Sequence, residues 1–279
     1  QIAKSLNMKM LSTTLFVALL GSCQAFAPHQ YAHISPRLAT LLKRPHSYTL
    51  RKAVAEGNLQ ENGRALAERL SGVPVYLIGM MGSGKSSVGD IFCKSLGSYS
   101  FLETDSLIET IAGSTVAEVF ENQGEEEFRK VESAVLTQVS SFIRTVVSTG
   151  GGIVTNEANW GKLQSGIVVF LDVPSDVIAK RMLASDASRA ATTVGEVAAR
   201  PLLAGLDDPT DQAQVAERLQ GLLDQRLNKY NQADLAVKFD GSEALDDSAL
   251  ILINKLDSFI ASNPPKWKQW KDKATLTAK

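Results

Sequence analysis

Gly79-Met80-Met81-Gly82-Ser83-Gly84-Lys85-Ser86 is the stretch whose reading decides the fold. It satisfies the phosphate-binding pattern G-x-x-x-x-G-K-[ST] in full, and it sits where that pattern must sit. Before it runs the apolar segment 73–78, which reads as a buried strand. Behind it Val88, Ile91, Phe92 and Leu96 recur at helical spacing. Glycines let such a loop fold round a phosphate so that several backbone N–H groups point at its oxygens. The start of the following helix adds partial positive charge at the same place. In that geometry Gly79, Gly82, Ser83, Gly84, Lys85, Ser86 and Ser87 line the phosphates. Lys85 would reach the β- and γ-phosphates, and the Ser86 hydroxyl would take a Mg²⁺ position. A chance Gly/Ser turn is the alternative, and the strand–loop–helix context argues against it. The stretch predicts a bound nucleoside triphosphate.

Outward from this loop the chain alternates strand and helix from about residue 63. Strands are predicted at 74–78, 101–103, 146–148, 167–171 and 235–238. Helical patterns fall at 88–96, 106–111, 126–143, 175–183, 212–232 and 247–261. Short apolar strands separated by helices imply an α/β fold, a parallel sheet covered on both faces with ligands at the carboxyl ends of its strands.

Length and charge narrow the function. The 279 residues, 44% hydrophobic, allow one or two domains. The formal charge is −1, yet residues 1–55 hold seven Lys or Arg and no acid, so the remainder carries −8. That is a poor surface for nucleic acid. All three histidines (His29, His33, His46) lie in the leader, which argues against Ser-His-Asp hydrolysis or His-ligated zinc in the body. Phosphoryl transfer needs mainly positioning, cations and a carboxylate, so it survives the exclusion.

The leader reads as an address. Residues 1–25 resemble a signal peptide, with Lys9 before the apolar run 15–20 and small residues at Cys23 and Ala25 for cleavage. Seven residues precede Met8, and translation is expected to start at Met8 or Met10. Residues 26–62 are basic, hydroxylated and almost free of acids, as in a disordered transit peptide. The junction Ala25-Phe26 resembles that of bipartite plastid leaders in algae with secondary plastids; an ordinary secreted protein is the alternative. Cys23 would leave with the signal, and Cys93 alone permits no disulfide framework. The domain is expected over 63–262, without a membrane segment in its mature form. A basic tail follows at 263–279, where Trp267 and Trp270 suit either a docked short helix or a frayed end.

Further motifs fall at the predicted strand ends. Glu103 and Asp105 close the second strand, two residues apart and so expected on one face toward the phosphate loop. Next comes the run 119–132, containing Phe120, Gly124, Phe128, Arg129 and Glu132. Gly150, Gly151 and Gly152 end the third strand, Arg200-Pro201-Leu202-Leu203 follows a polar segment, and Arg226 and Tyr230 lie one helical turn apart.

In this order the phosphate loop, ExD, GExxFRxxE, GGG, RPLL and RxxxY resemble the shikimate kinase family over about residues 73–261. The resemblance implies a three-layer phosphate-loop fold with a five-stranded sheet in order 2-3-1-4-5 and a mobile lid near 184–206. It implies ATP and Mg²⁺ as cofactors and phosphorylation of the 3-hydroxyl of shikimate, a small-molecule substrate. Sequence does not give the oligomeric state; a monomer is the expectation. Arg129 and Arg226 then offer planar forks for the substrate carboxylate. The alternatives are a surface ion pair of Arg129 with Glu125 and a surface charge at Arg226. Asp105 would accept the proton of the attacking hydroxyl, with a helix cap as its other possible role. Gly150, Gly151 and Gly152 would let backbone N–H groups approach the substrate. Phe120 and Phe128 would floor the pocket or simply pack, and Glu132 would hold Arg129 or a hydroxyl. Lys85, Asp105 and Arg200 form the expected catalytic set, with Ser86 and Glu103 at the metal.

The chain also departs from the family pattern. Glu103 stands where the family has an aspartate. Thr193 occupies the place of a second lid arginine, for which Arg189 is a substitute through a longer loop. The segment 207–210 is longer than usual and expected at the surface. Three readings compete: an active shikimate kinase, an inactive relative kept as a binding or regulatory module, and a related small-molecule kinase such as a gluconate kinase.

Overall fold

The computed structural model describes residues 47–192 and 206–263, with side chains from residue 57 and, between 175 and 192, up to 185. Apart from the opening of the first helix, these residues belong to a compact unit that begins at Leu50. The expected leader cleavage sites, Thr193, Arg200 and the tail beyond Asn263 lie outside the described residues.

The elements run α1 (Ser47–Leu70), β1 (Val75–Ile78), α2 (Lys85–Leu96), β2 (Ser100–Glu103), α3 (Thr104–Ala112) and α4 (Val116–Val139). They continue with β3 (Thr145–Ser148), a 3-10 turn (Ile153–Thr155), α5 (Glu157–Leu163), β4 (Ile167–Asp172) and α6 (Ser175–Thr192). α7 (Gln212–Tyr230), β5 (Leu235–Lys238) and α8 (Leu245–Ser262) complete them. All strand pairs are parallel, and the sheet order is β2-β3-β1-β4-β5, as the resemblance implied. β1 is central and all four of its residues are buried, the pattern of a strand covered on both faces. Leu77 and Phe101 face Gly89 of α2, where an added Cβ would lie 2.8 Å from each side chain, so glycine lets the helix settle onto the sheet. On the opposite face Phe170 of β4 stacks on Tyr230 of α7, ring centroids 4.7 Å apart and planes 4° from parallel.

The carboxyl ends of β1, β2 and β3 deliver the phosphate loop, Glu103 and the triple glycine to one edge. That is the edge where this class of sheet binds ligands. α4 opens with a capping box between Thr115 and Glu118 and breaks at Gly124, whose φ of 80° and ψ of 169° interrupt the helix. The break re-aims the second half of α4, which carries Arg129 and Glu132. The segment 207–210 is exposed, as expected.

The expected start of the folded domain at residue 63 needs correction. α1 runs across that boundary, and Leu59, Leu66, Ala67 and Leu70 form one buried stripe at helical spacing. A Cβ on Gly63 would lie 2.5 Å from the Ser95 carbonyl oxygen, so α1 and α2 meet backbone against backbone. Arg69 near the end of α1 also pairs with Asp257 of α8.

Candidate active site

The phosphate loop is shaped by its glycines. At Gly79, with φ of 151°, a Cβ would lie 2.8 Å from the Leu171 carbonyl oxygen. Only glycine leaves β1 here without a clash. Lys85, at the start of α2, folds back over the loop and donates to the carbonyls of Gly79 (3.0 Å) and Met80 (2.7 Å) and to Ser83 Oγ (3.5 Å). Burial pushes its ammonium down to about 8, while Asp105 and Glu103 pull it part of the way back. A lysine fixed by its own loop is pre-set to meet phosphate oxygens.

Ser86 donates its hydroxyl to Glu103 Oε1, Ser148 Oγ lies 3.4 Å from Ser86 Oγ, and Ser106 donates to Glu103 Oε2 at 3.2 Å. The expectation that Glu103 and Asp105 share one strand face is corrected. β2 ends at Glu103, and Asp105 lies in the first turn of α3. The cap position of α3 is Glu103, so Asp105 is not the helix cap. Helical geometry still brings both carboxylates to Lys85. Burial raises Asp105 above the ordinary carboxylate range; Lys85 opposes the shift and Glu103 adds to it.

Beyond Asp105 stands the triple glycine. The Gly150 N–H donates to Thr104 Oγ1 at 2.9 Å. An added Cβ on Gly150 would lie 2.4 Å from Glu132 Oε1 and 2.9 Å from Asp105 Oδ1, so glycine admits both carboxylates to one point. A Cβ on Gly152 would lie 2.2 to 2.4 Å from the guanidinium atoms of Arg129. Arg129 donates to Glu132 Oε2 (2.9 Å) and to Glu125 Oε1 (3.1 Å), and its guanidinium sits 5.3 Å from the Phe128 ring. The ion pair with Glu125 is thus present, yet only 16% of the Arg129 side chain is exposed. Phe120 and Phe128 lie together at 5.3 Å between centroids. Arg226 is buried rather than a surface charge, and donates to the Gly151 carbonyl at 3.3 Å. Arg129 Nε and Glu132 Oε1, a donor and an acceptor, are buried without partners among the described residues. Such orphaned groups suit a polar ligand. Burial also raises Glu132, against the pull of Arg129.

The shikimate kinase family model matches residues 81–256. This chain belongs to the shikimate kinase family. A shikimate kinase of Synechococcus sp. (strain RCC307) is 48% identical over 187 residues, which span 67% of this chain and 86% of that protein. That of Synechococcus sp. (strain CC9902) is 44% identical over 194 residues, 69% of this chain and 92% of the relative. The solved shikimate kinase from Acinetobacter baumannii in complex with shikimate is 32% identical, with a TM-score of 0.56 over 70% of this chain and 96% of that one. That from Bacteroides thetaiotaomicron is 29% identical, with a TM-score of 0.55 over 66% and 98%.

Family membership makes ATP with Mg²⁺ the expected cofactors, and the residues present fit them. Among the described residues no cluster of three or more His, Cys, Asp or Glu would hold a metal alone. Ser86 and Glu103 already place a hydroxyl and a carboxylate in contact beside the phosphate loop, as a metal shared with phosphate oxygens requires. The fold therefore brings together the phosphate loop, Glu103, Asp105, Phe128, Arg129, Glu132, the three glycines and Arg226. Three neighbours were missed from sequence: Thr104, Ser148 and the role of Tyr230, whose hydroxyl donates to the Gly151 carbonyl at 2.7 Å. Only Tyr230 left a signal, its position one turn beyond Arg226. The Thr104 contact spans 46 residues and no local pattern announces it.

Proposed function

We propose that this chain transfers the γ-phosphoryl group of ATP to the 3-hydroxyl of shikimate, giving shikimate 3-phosphate and ADP. The observation that carries the reading is the convergence of two largely buried arginines, Arg129 and Arg226, on a glycine loop beside Asp105 and the phosphate loop. Shikimate is a small ring with one carboxylate and three hydroxyls. Its carboxylate suits the two guanidiniums, and the unpartnered Glu132 Oε1 suits a hydroxyl donor.

Asp105 accepts the proton of the attacking hydroxyl; burial raises its affinity for that proton, and Lys85 beside it opposes the shift. Lys85 balances charge on the transferring phosphoryl group, and Arg200 is assigned the closing lid contact. When bound, Mg²⁺ neutralises charge on the phosphate oxygens. Ser86 would hold it directly and Glu103 through water, because the extra methylene of Glu over Asp still reaches the hydration shell.

The test is ADP release by the purified chain with shikimate, gluconate or no acceptor, with the product identified by mass. Shikimate-dependent release is expected; release that prefers gluconate or needs no acceptor overturns the reading. The basic, almost acid-free leader with Ala25-Phe26 supports plastid import. A reporter fused to residues 8–60 is expected in that organelle, and its retention in the secretory pathway sinks the idea.

A further inference from the structure

Tyr230 belongs to no part of the chemistry above, yet it is firmly held. It is fully buried, its ring lies flat on Phe170, and its hydroxyl donates to the Gly151 carbonyl at 2.7 Å. Burial pushes the phenol up to about 12, so it stays a donor at any working pH. The same hydroxyl lies 3.6 Å from the sulfur of Met80 in the phosphate loop. Gly151 in turn rests on that loop: a Cβ there would lie 3.1 Å from the Met81 nitrogen and 3.4 Å from the Gly79 oxygen.

A peptide unit is planar, and its C=O and N–H point in opposite directions. Whatever fixes the Gly151 carbonyl therefore fixes the Gly152 N–H. That N–H donates to no acceptor among the described residues, and Gly152 backs directly onto the Arg129 guanidinium. The carbonyl has a second donor, Arg226 Nη1, at the longer distance of 3.3 Å. Arg226 thus shares the carbonyl with Tyr230 and lies beside its hydroxyl.

We propose that Tyr230 is a positioning residue for the acceptor substrate: through the Gly151 carbonyl it aims the Gly152 N–H at the ligand held by Arg129. The proposal rests on the assignment of Gly150, Gly151 and Gly152 to the acceptor. Tyr230 itself touches neither substrate.

The test is Tyr230→Phe, which keeps the stacked ring and its volume and removes only the hydroxyl. Losing the hydrogen bond that orders the Gly152 N–H is expected to raise the KM for shikimate about tenfold. The KM for ATP and the thermal midpoint stay close to the parent's. An unchanged KM for shikimate overturns the proposal, and so does a parallel rise for both substrates with a lower midpoint, the pattern of a merely structural residue. Should the parent release no ADP with shikimate, the functional reading fails by itself, and a crystal structure of the variant still decides this one. A turned Gly151–Gly152 peptide supports it; a peptide that stays in place overturns it.

Discussion

Replacing Lys85 with methionine is expected to abolish phosphoryl transfer, and the structure also sets how the change acts on folding. The ammonium is buried, and burial depresses its proton affinity from 10.5 to about 8. That depression corresponds to roughly 3 kcal/mol of destabilisation wherever the lysine is charged in both folded and unfolded chains, that is, below about pH 8. Methionine removes this cost and keeps most of the volume. It also strips the Gly79 and Met80 carbonyls of their donor, at about 1 kcal/mol each. At pH 7 without nucleotide, Lys85→Met is therefore more stable than the parent by about 1 kcal/mol. Between about pH 8 and 10.5 the unfolded chain binds the extra proton, so the parent gains stability relative to the variant as pH rises. Near pH 10.5 the order reverses, and the variant is weaker by about 2 kcal/mol. Urea unfolding of both proteins at the two pH values measures this difference directly, and shared titrations cancel in the subtraction. A difference that is flat with pH, or a parent already more stable at pH 7, would refute the reasoning. ATP with Mg²⁺ should stabilise the parent and not the variant.

Arg129→Ala removes a carboxylate fork and leaves Glu132 buried without its partner. It is expected to lower kcat/KM for shikimate by about 2–4 kcal/mol of transition-state stabilisation while the KM for ATP stays put in steady-state kinetics. Gly152→Ala places a Cβ 2.2 Å from Arg129 Nη1, so the guanidinium must move. Shikimate titrations should weaken while ATP titrations do not. Glu103→Asp is expected to change turnover by at most about tenfold, since either carboxylate reaches a metal-bound water. Asp105→Asn removes the proton acceptor and with it turnover. Its thermal midpoint at pH 7 should not fall, because burial already disfavours the ionised form that Asn replaces.

The strands were legible because short apolar runs and helical stripes repeat with clear periods; the sheet order came only from the family resemblance carried by the motifs. The phosphate loop was legible because its glycines are needed locally, as the crowding at Gly79 demonstrates. The first half of α4 was hidden by an acidic run and by Gly124, which ends one helical register and starts another. α5 is short, and its buried Trp160 and Leu163 give less than one full period. The placement of Glu103 and Asp105 was misread because a strand turns into a helix between them, a change of period that two residues cannot announce. Arg129 was read as either a ligand fork or an ion pair with Glu125; the structure makes it an ion-paired group whose burial and glycine contact come from distant segments.

The stripe on α1 also bounds how far the amino terminus can be trimmed. Leu59 is 4% exposed, and four residues further on Gly63 lies against Ser95. A protease cutting before Leu59 leaves this contact whole, whereas one cutting after Gly63 would bare the flank of α2. That helix begins at Lys85, so damage there would travel along a rigid rod to the loop that grips the phosphates. Any trimming of the amino terminus would thus be coupled to the phosphate loop through a single helix, with Ser95 near one end and Lys85 at the other.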